Sequence, residues 1–124
     1  MREFATLRLP KDVSAKAPDG SDVRVLLGLK GGGMPHFELA AGKTSKAVVH
    51  RTVEEIWYVL AGRGEMWRKQ GEHEELVALE PGVCLTIPLG TQFQFRSSEK
   101  LQAVAVTMPP WPGEGEASEV PGRW

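Results

Sequence analysis

The sequence predicts an all-β fold, a sandwich or small barrel of about nine or ten short strands. Three observations predict it. Runs rich in Val, Ile, Leu and aromatic residues recur along the chain, bounded by Gly, Pro and Asp at the spacing of all-β folds. No segment repeats its apolar residues with a helical period. The stretch Glu55 to Gly62, E-I-W-Y-V-L-A-G, is apolar on both parities from Ile56 to Ala61, so burial on both faces is expected there.

Taken in order, Phe4, Leu7 and Leu9 suggest a short edge strand or arm, and Pro10 and the run at 17–20 are turn chemistry. Val23 to Leu29 reads as a strand, Gly31 to Gly33 as a loop, and Met34 to Ala40 as a strand. The glycine triplet is not a phosphate cradle, because neither a Lys-Ser/Thr pair nor dinucleotide spacing follows it. Val48 to Arg51 is a short strand before the central one. Gly62-Arg63-Gly64 is expected to turn a tight hairpin into Glu65 to Arg68. Lys69 to Glu74 is a polar hairpin tip. Glu75 to Leu79 and Val83 to Ile87 are strands split by Glu80-Pro81-Gly82. Phe93 to Arg96 is a strand, Ser97 to Lys100 a turn, and Leu101 to Met108 the last strand. The tail from Pro109 holds four prolines, three glycines and two tryptophans and shows no period. The expected layout is one domain over 1–124, with a barrel at about 23–108, an N-terminal arm at 1–22 and a Pro/Gly-rich tail at 109–124.

Charge is nearly balanced, with 15 basic and 16 acidic residues. There is no basic stripe for nucleic acid and no polybasic membrane patch, so neither partner is expected. The start lacks the apolar core of a signal peptide and no run is long enough to span a bilayer, which makes a cytoplasmic location the expectation. A lone Cys84 excludes an internal disulfide framework.

Two stretches carry a family resemblance. Gly42, seven residues, His50, four residues, Glu55, six residues and Gly62 resemble the first motif of the cupin family. Gly82-Val-Cys-Leu-Thr-Ile-Pro88-Leu-Gly90-Thr-Gln-Phe93-Gln-Phe-Arg-Ser97 resembles the second. The resemblance implies a double-stranded β-helix, a jelly-roll barrel, and a homodimer. It also implies a divalent metal, zinc, iron or manganese, held by three His and one Glu. Carried over by position, those ligands fall on Val48, His50, Glu55 and Phe93, so two of the four are present. The expected cofactor is therefore none, or a weakly bound divalent metal held by His50 and Glu55, with Gln92 (through a bulge) or His36 to complete the set. Alternation places Val48 with His50 on one strand face, and Phe93 with Phe95 on another.

Each residue also has a structural reading. His50 and Glu55 can satisfy one another as a buried pair. Trp57 shares the parity of Glu55 and lines the interior, either as core or as a ligand wall. Tyr58, on the opposite parity, is expected to pack between sheets, and Cys84 to pack as a small hydrophobe. Arg68, turned inward, would offer a carboxylate or phosphate clamp. Two function classes follow. One is a small-molecule-binding barrel with a degraded metal site, lined by His50, Glu55, Trp57, Gln92, Phe93 and Phe95. The other is an enzyme, an isomerase or epimerase using His50 and Glu55 as acid and base, or a metal-dependent dioxygenase.

Overall fold

The computed structural model describes residues 2–17, 19–113 and 115–124. Among the described residues nine strands follow in order: β1 (Ala15–Lys16), β2 (Asp22–Leu29), β3 (Gly32–Leu39), β4 (Val48–His50), β5 (Glu54–Gln70), β6 (His73–Leu79), β7 (Cys84–Ile87), β8 (Gln92–Met108) and β9 (Ala117–Glu119). The fold is the all-β double-stranded β-helix, organised on its two long strands. β5 and β8 run antiparallel along nearly their whole length, from Glu54 opposite Met108 to Lys69 opposite Gln92. The first part of β5 pairs with β7, and the matching part of β8 continues the sheet through β3, β2 and β1. The second part of β5 pairs with β6, and the matching part of β8 continues through β4 to β9. One curled antiparallel sheet thus faces itself across a core.

The expected hairpin at Gly62 to Gly64 and the expected turn at Ser97 to Lys100 are both corrected: the chain passes straight through each. These segments lie opposite one another, with Arg63 facing Glu99 and Gly64 facing Ser97, and the register shifts between Val59 and Gly64. The glycines serve a bend, not a reversal. Gly62 has φ of 89°, and a Cβ there would lie 2.0 Å from the Lys100 carbonyl oxygen. Bulges and close backbone approach let a strand leave one sheet and enter another.

The core lies on the inward parity. Trp57 stacks on Phe37 with ring centroids 4.9 Å apart and meets Phe95 edge-on at 5.1 Å. Along β5, Glu55, Trp57 and Val59 are buried, while Ile56, Tyr58 and Leu60 remain 42, 47 and 45% exposed. Burial on both faces is therefore not found in this chain. Tyr58 lies on the outer surface instead of between sheets. Cys84, at the start of β7, is exposed instead of packed, because Leu85 and Ile87 take the inward positions.

Residues 2–10 form no strand, and Phe4 is fully exposed. Their end is tied down by Arg24, which donates to the carbonyls of Pro10 and Lys11. The tail is more ordered than its composition suggests. β9 pairs along β4, and Gln94 Oε1 accepts from the main-chain N–H of Arg123 and Trp124, each at 3.0 Å. The Arg96 guanidinium lies 4.2 Å from the Trp124 ring centre.

Candidate functional site

One end of the barrel interior holds a cavity whose walls come from the arm, the core strands and the tail. Val48, His50, Glu55, Trp57 and Phe93 line it, together with Asp19, Phe37, Thr107 and Trp111. About 30 Å³ of it is open to the centres of water-sized spheres, room for roughly two waters. Val48 and Phe93 are directly opposed across β4 and β8, so the two positions whose imidazoles the motifs would require share one face of one ladder. His50 stacks on Phe93 at 5.7 Å.

The polar part is a chain of charges through His50. Its Nε2 lies 3.4 Å from Glu55 Oε2 and its Nδ1 lies 3.5 Å from Glu116 Oε1. Trp57 Nε1 donates to the same Glu55 oxygen at 3.4 Å. Glu116 is fixed from behind: its Oε1 accepts from the N–H of Thr52 and of Val53, and its Oε2 from the Thr52 hydroxyl, all at 2.8 Å. Asp19 is buried, and its Oδ1 accepts from the N–H and the hydroxyl of Ser21 at 2.8 and 2.6 Å.

Burial alone would lower the His50 pKa, but the bond to Glu55 and the charges of Glu55, Glu116 and Asp19 outweigh it and raise the value. Burial raises Asp19, and the Ser21 bonds only partly oppose it. Burial would raise Glu116 too, yet the Thr52 and Val53 bonds and the His50 charge hold it below the ordinary carboxylate value. The signs give a pH window. The raised His50 value contributes stability that is complete below about 6.5 and is lost as pH rises through the folded pKa. The depressed Glu116 value contributes stability present above about 4.3 and lost as pH falls through its folded pKa. The two contributions are therefore both complete between about pH 4.3 and 6.5, while Asp19, raised, weakens the fold as it ionises. NMR titration of the His50 ring is expected to give a folded pKa above 6.5, moved downward by Glu116→Gln. A value below about 6.5 would mean that desolvation wins.

Three expected site residues lie elsewhere. Gln92 pairs in regular register with Val49 and Lys69, so no bulge turns its amide inward, and Phe93 takes the inward position. Phe95 is core against Trp57 and not cavity wall. His36 lies on the strand face opposite Phe37, set against Arg24 and Val104, where burial and the Arg24 charge push its pKa down. Arg68 is engaged by the Thr86 carbonyl and Glu75 away from this cavity. The sequence does not single out Asp19, Thr107 or Glu116, whereas Trp111, which from its place after Pro109-Pro110 reads as a cap on the barrel or a partner contact, lines the cavity. Asp19 sits in a segment read only as turn chemistry, and Glu116 in a tail without period.

The donors do not fit the implied metal. Two of the four positions present Val and Phe, the completing candidates face away, and no group of three or more His, Cys, Asp or Glu converges on an ion among the described residues.

A curled double-stranded barrel with a polar-ended internal cavity is the class this geometry defines. The chain belongs to the cupin family: the cupin-domain sequence model matches residues 35–109. Among solved structures it is similar to an ectoine synthase from P. lautus, 20% identical over 98% of this chain and 93% of that one, with a TM-score of 0.73. It is also similar to an uncharacterized conserved protein with a double-stranded β-helix domain from Klebsiella pneumoniae, 17% identical over 97% and 100% of the two chains, TM-score 0.71. KdgF from Halomonas sp. is 17% identical over 79% and 87%, TM-score 0.67. At these identities the likeness is one of fold. No curated protein matches the chain by sequence.

Proposed function

We infer that this cupin binds a small organic molecule in the cavity beside His50, Glu55 and Trp57, and that its own side chains, not a tightly held metal, recognise it. The observation that carries this reading is the charged triplet Glu55–His50–Glu116 set at the end of a cavity whose other walls, Asp19 and Thr107 apart, are aromatic and aliphatic. Apolar walls with a few fixed polar groups are the ordinary make-up of a small-molecule site. The test is a ligand-observed NMR screen of small polar organic molecules with a thermal melt for each hit. Hits are expected to raise Tm in the parent and to lose their effect in His50→Gln and in the cavity-filling Val48→Phe. Hits that survive both changes in folded protein would sink the reading.

A catalytic reading of the same site has one observation in its favour. Asp19, pushed by burial toward its protonated form, lines the cavity that Glu55 also lines, which sets an acid and a base on one ligand. An isomerase or epimerase acting this way would exchange a substrate C–H for solvent deuterium, read by NMR on any hit. A hit that keeps all its protons over days in D₂O speaks for binding alone.

The proposal extends to assembly. Ile56, Tyr58 and Leu60 leave an apolar row on the outer face of β5, and such rows favour burial against a second copy. Light scattering at micromolar concentration is expected to give a homodimer, and monomer alone would count against it.

A further inference from the structure

Resting on the reading of this cavity as a small-molecule site, we propose that its ligand presents a small ammonium group, seated between Asp19 and Glu55 against the aromatic walls. The charge inventory comes first. Asp19 and Glu55 line the cavity, and His50 is its one basic lining residue among the described residues, with no Lys or Arg. Glu55 and Glu116 face the two ring nitrogens of His50 and already balance its charge, although Nδ1 makes no hydrogen bond among the described residues. Arg68, the residue best suited to clamp a carboxylate, is engaged elsewhere.

Hydrogen bonding points the same way. Asp19 takes both Ser21 bonds on Oδ1, and Glu55 takes the Trp57 N–H and faces His50 on Oε2. Asp19 Oδ2 and Glu55 Oε1 accept no hydrogen bond among the described residues. Both oxygens are free to take donors from a molecule in the cavity that their residues line. An ammonium group has three donors and no acceptor. A carboxylate ligand would bring acceptors and a like charge to the same two oxygens.

The walls complete the match. Phe37, Trp57, Phe93 and Trp111 surround the cavity, and aromatic faces attract a cation through their quadrupole. The free space limits what sits inside to a compact head group. Burial holds the Asp19 pKa up, and a cation seated beside it would favour the ionised carboxylate.

The experiment follows the Trp57 indole N–H resonance during titration with three probes of one shape: n-propylammonium, 1-propanol and propanoate, at constant ionic strength. Propylammonium is expected to shift the resonance saturably and to bind about tenfold or more tighter than propanol, with no response to propanoate. Asp19→Asn and Glu55→Gln should each weaken propylammonium by about tenfold, since each removes one charge-assisted bond. Both variants can keep a local bond, the Asn oxygen accepting from Ser21 and the Gln oxygen from Trp57, and a thermal melt of each is expected to show a folded protein, with some stability lost in Glu55→Gln from the weakened His50 contact. Propanol or propanoate binding as tightly as the amine, or affinity indifferent to both variants, overturns the ammonium assignment and leaves the cavity reading standing. Failure of all three probes to move the resonance overturns the ammonium assignment as well. The cavity reading then falls only if the wider screen is also unaffected by Val48→Phe.

Discussion

Val48→His and Phe93→His together are expected to give this barrel a zinc site that retains one ion per chain through dialysis, which the parent is expected not to do. The ladder states why the pair works: Val48 and Phe93 are directly opposed, and both line the cavity that His50 and Glu55 line. With the two new imidazoles, four donors face one point, and three His with one Glu suit zinc in a way that two ligands do not. Phe93 is 2% exposed and stacks on His50, so the metal-free variant loses stability. Phe→Ala costs ~3–5 kcal/mol, and an imidazole refills part of that space. Zinc at a hundredfold excess over Kd should return about 2.7 kcal/mol, a Tm rise of roughly 10 °C. Melts with and without zinc, beside a metal count, decide it. A parent that already retains one ion per chain shows that Asp19, His50 and Glu55 suffice; a folded variant that gains neither metal nor stability shows that these four donors do not converge.

The second large effect is at Gly62. Gly62→Ala is expected to cost about 3 kcal/mol or more, or to abolish folding, although it adds one methyl group. A left-handed φ of 89° penalises any side chain, and the added Cβ would sit 2.0 Å from the Lys100 carbonyl oxygen. Nothing flexible can yield there, since the obstacle is main chain of the neighbouring strand. Gly42→Ala is the control: it has a left-handed φ of 75° but nothing within 4 Å of its Cβ. A denaturant melt should separate the two by more than 1 kcal/mol. Equal loss would mean that the φ alone matters and the close approach of β5 to β8 does not.

These two positions also mark how far the sequence could be read. Strand parity gave the inward set, because alternation is a local property: Val48, His50, Glu55, Trp57 and Phe93 are all on the cavity wall. The same local signal misled at Gly62 and at Ser97 to Lys100, since turn residues look alike whether a chain reverses or bends across two sheets. Only the partner strand distinguishes them, and pairing is non-local. Asp19 and Glu116 were illegible for a related reason. Each reaches the site from a segment without period, and Glu116 is carried there by the pairing of β9 with β4. Gln92 and His36 failed where a bulge or an ambiguous parity was needed, and the regular ladder supplied neither.

The sharing of β5 and β8 between both halves of the sheet has a consequence for how the molecule opens. Neither half can detach alone, because each shares the continuous backbone of both long strands. Amide exchange in these strands should proceed only through whole-molecule unfolding, at one common free energy, whereas the short edges β1 and β9 exchange by local fraying. Refolding can start the β5–β8 ladder at its sequence-near end, Lys69 opposite Gln92, but must carry it to Glu54 opposite Met108, and such distant pairing predicts slow folding for a chain of this size. On the small-molecule reading, a ligand is expected to reach the cavity without separation of β5 from β8, past the fraying edges whose residues Ala17 and Ala117 line it.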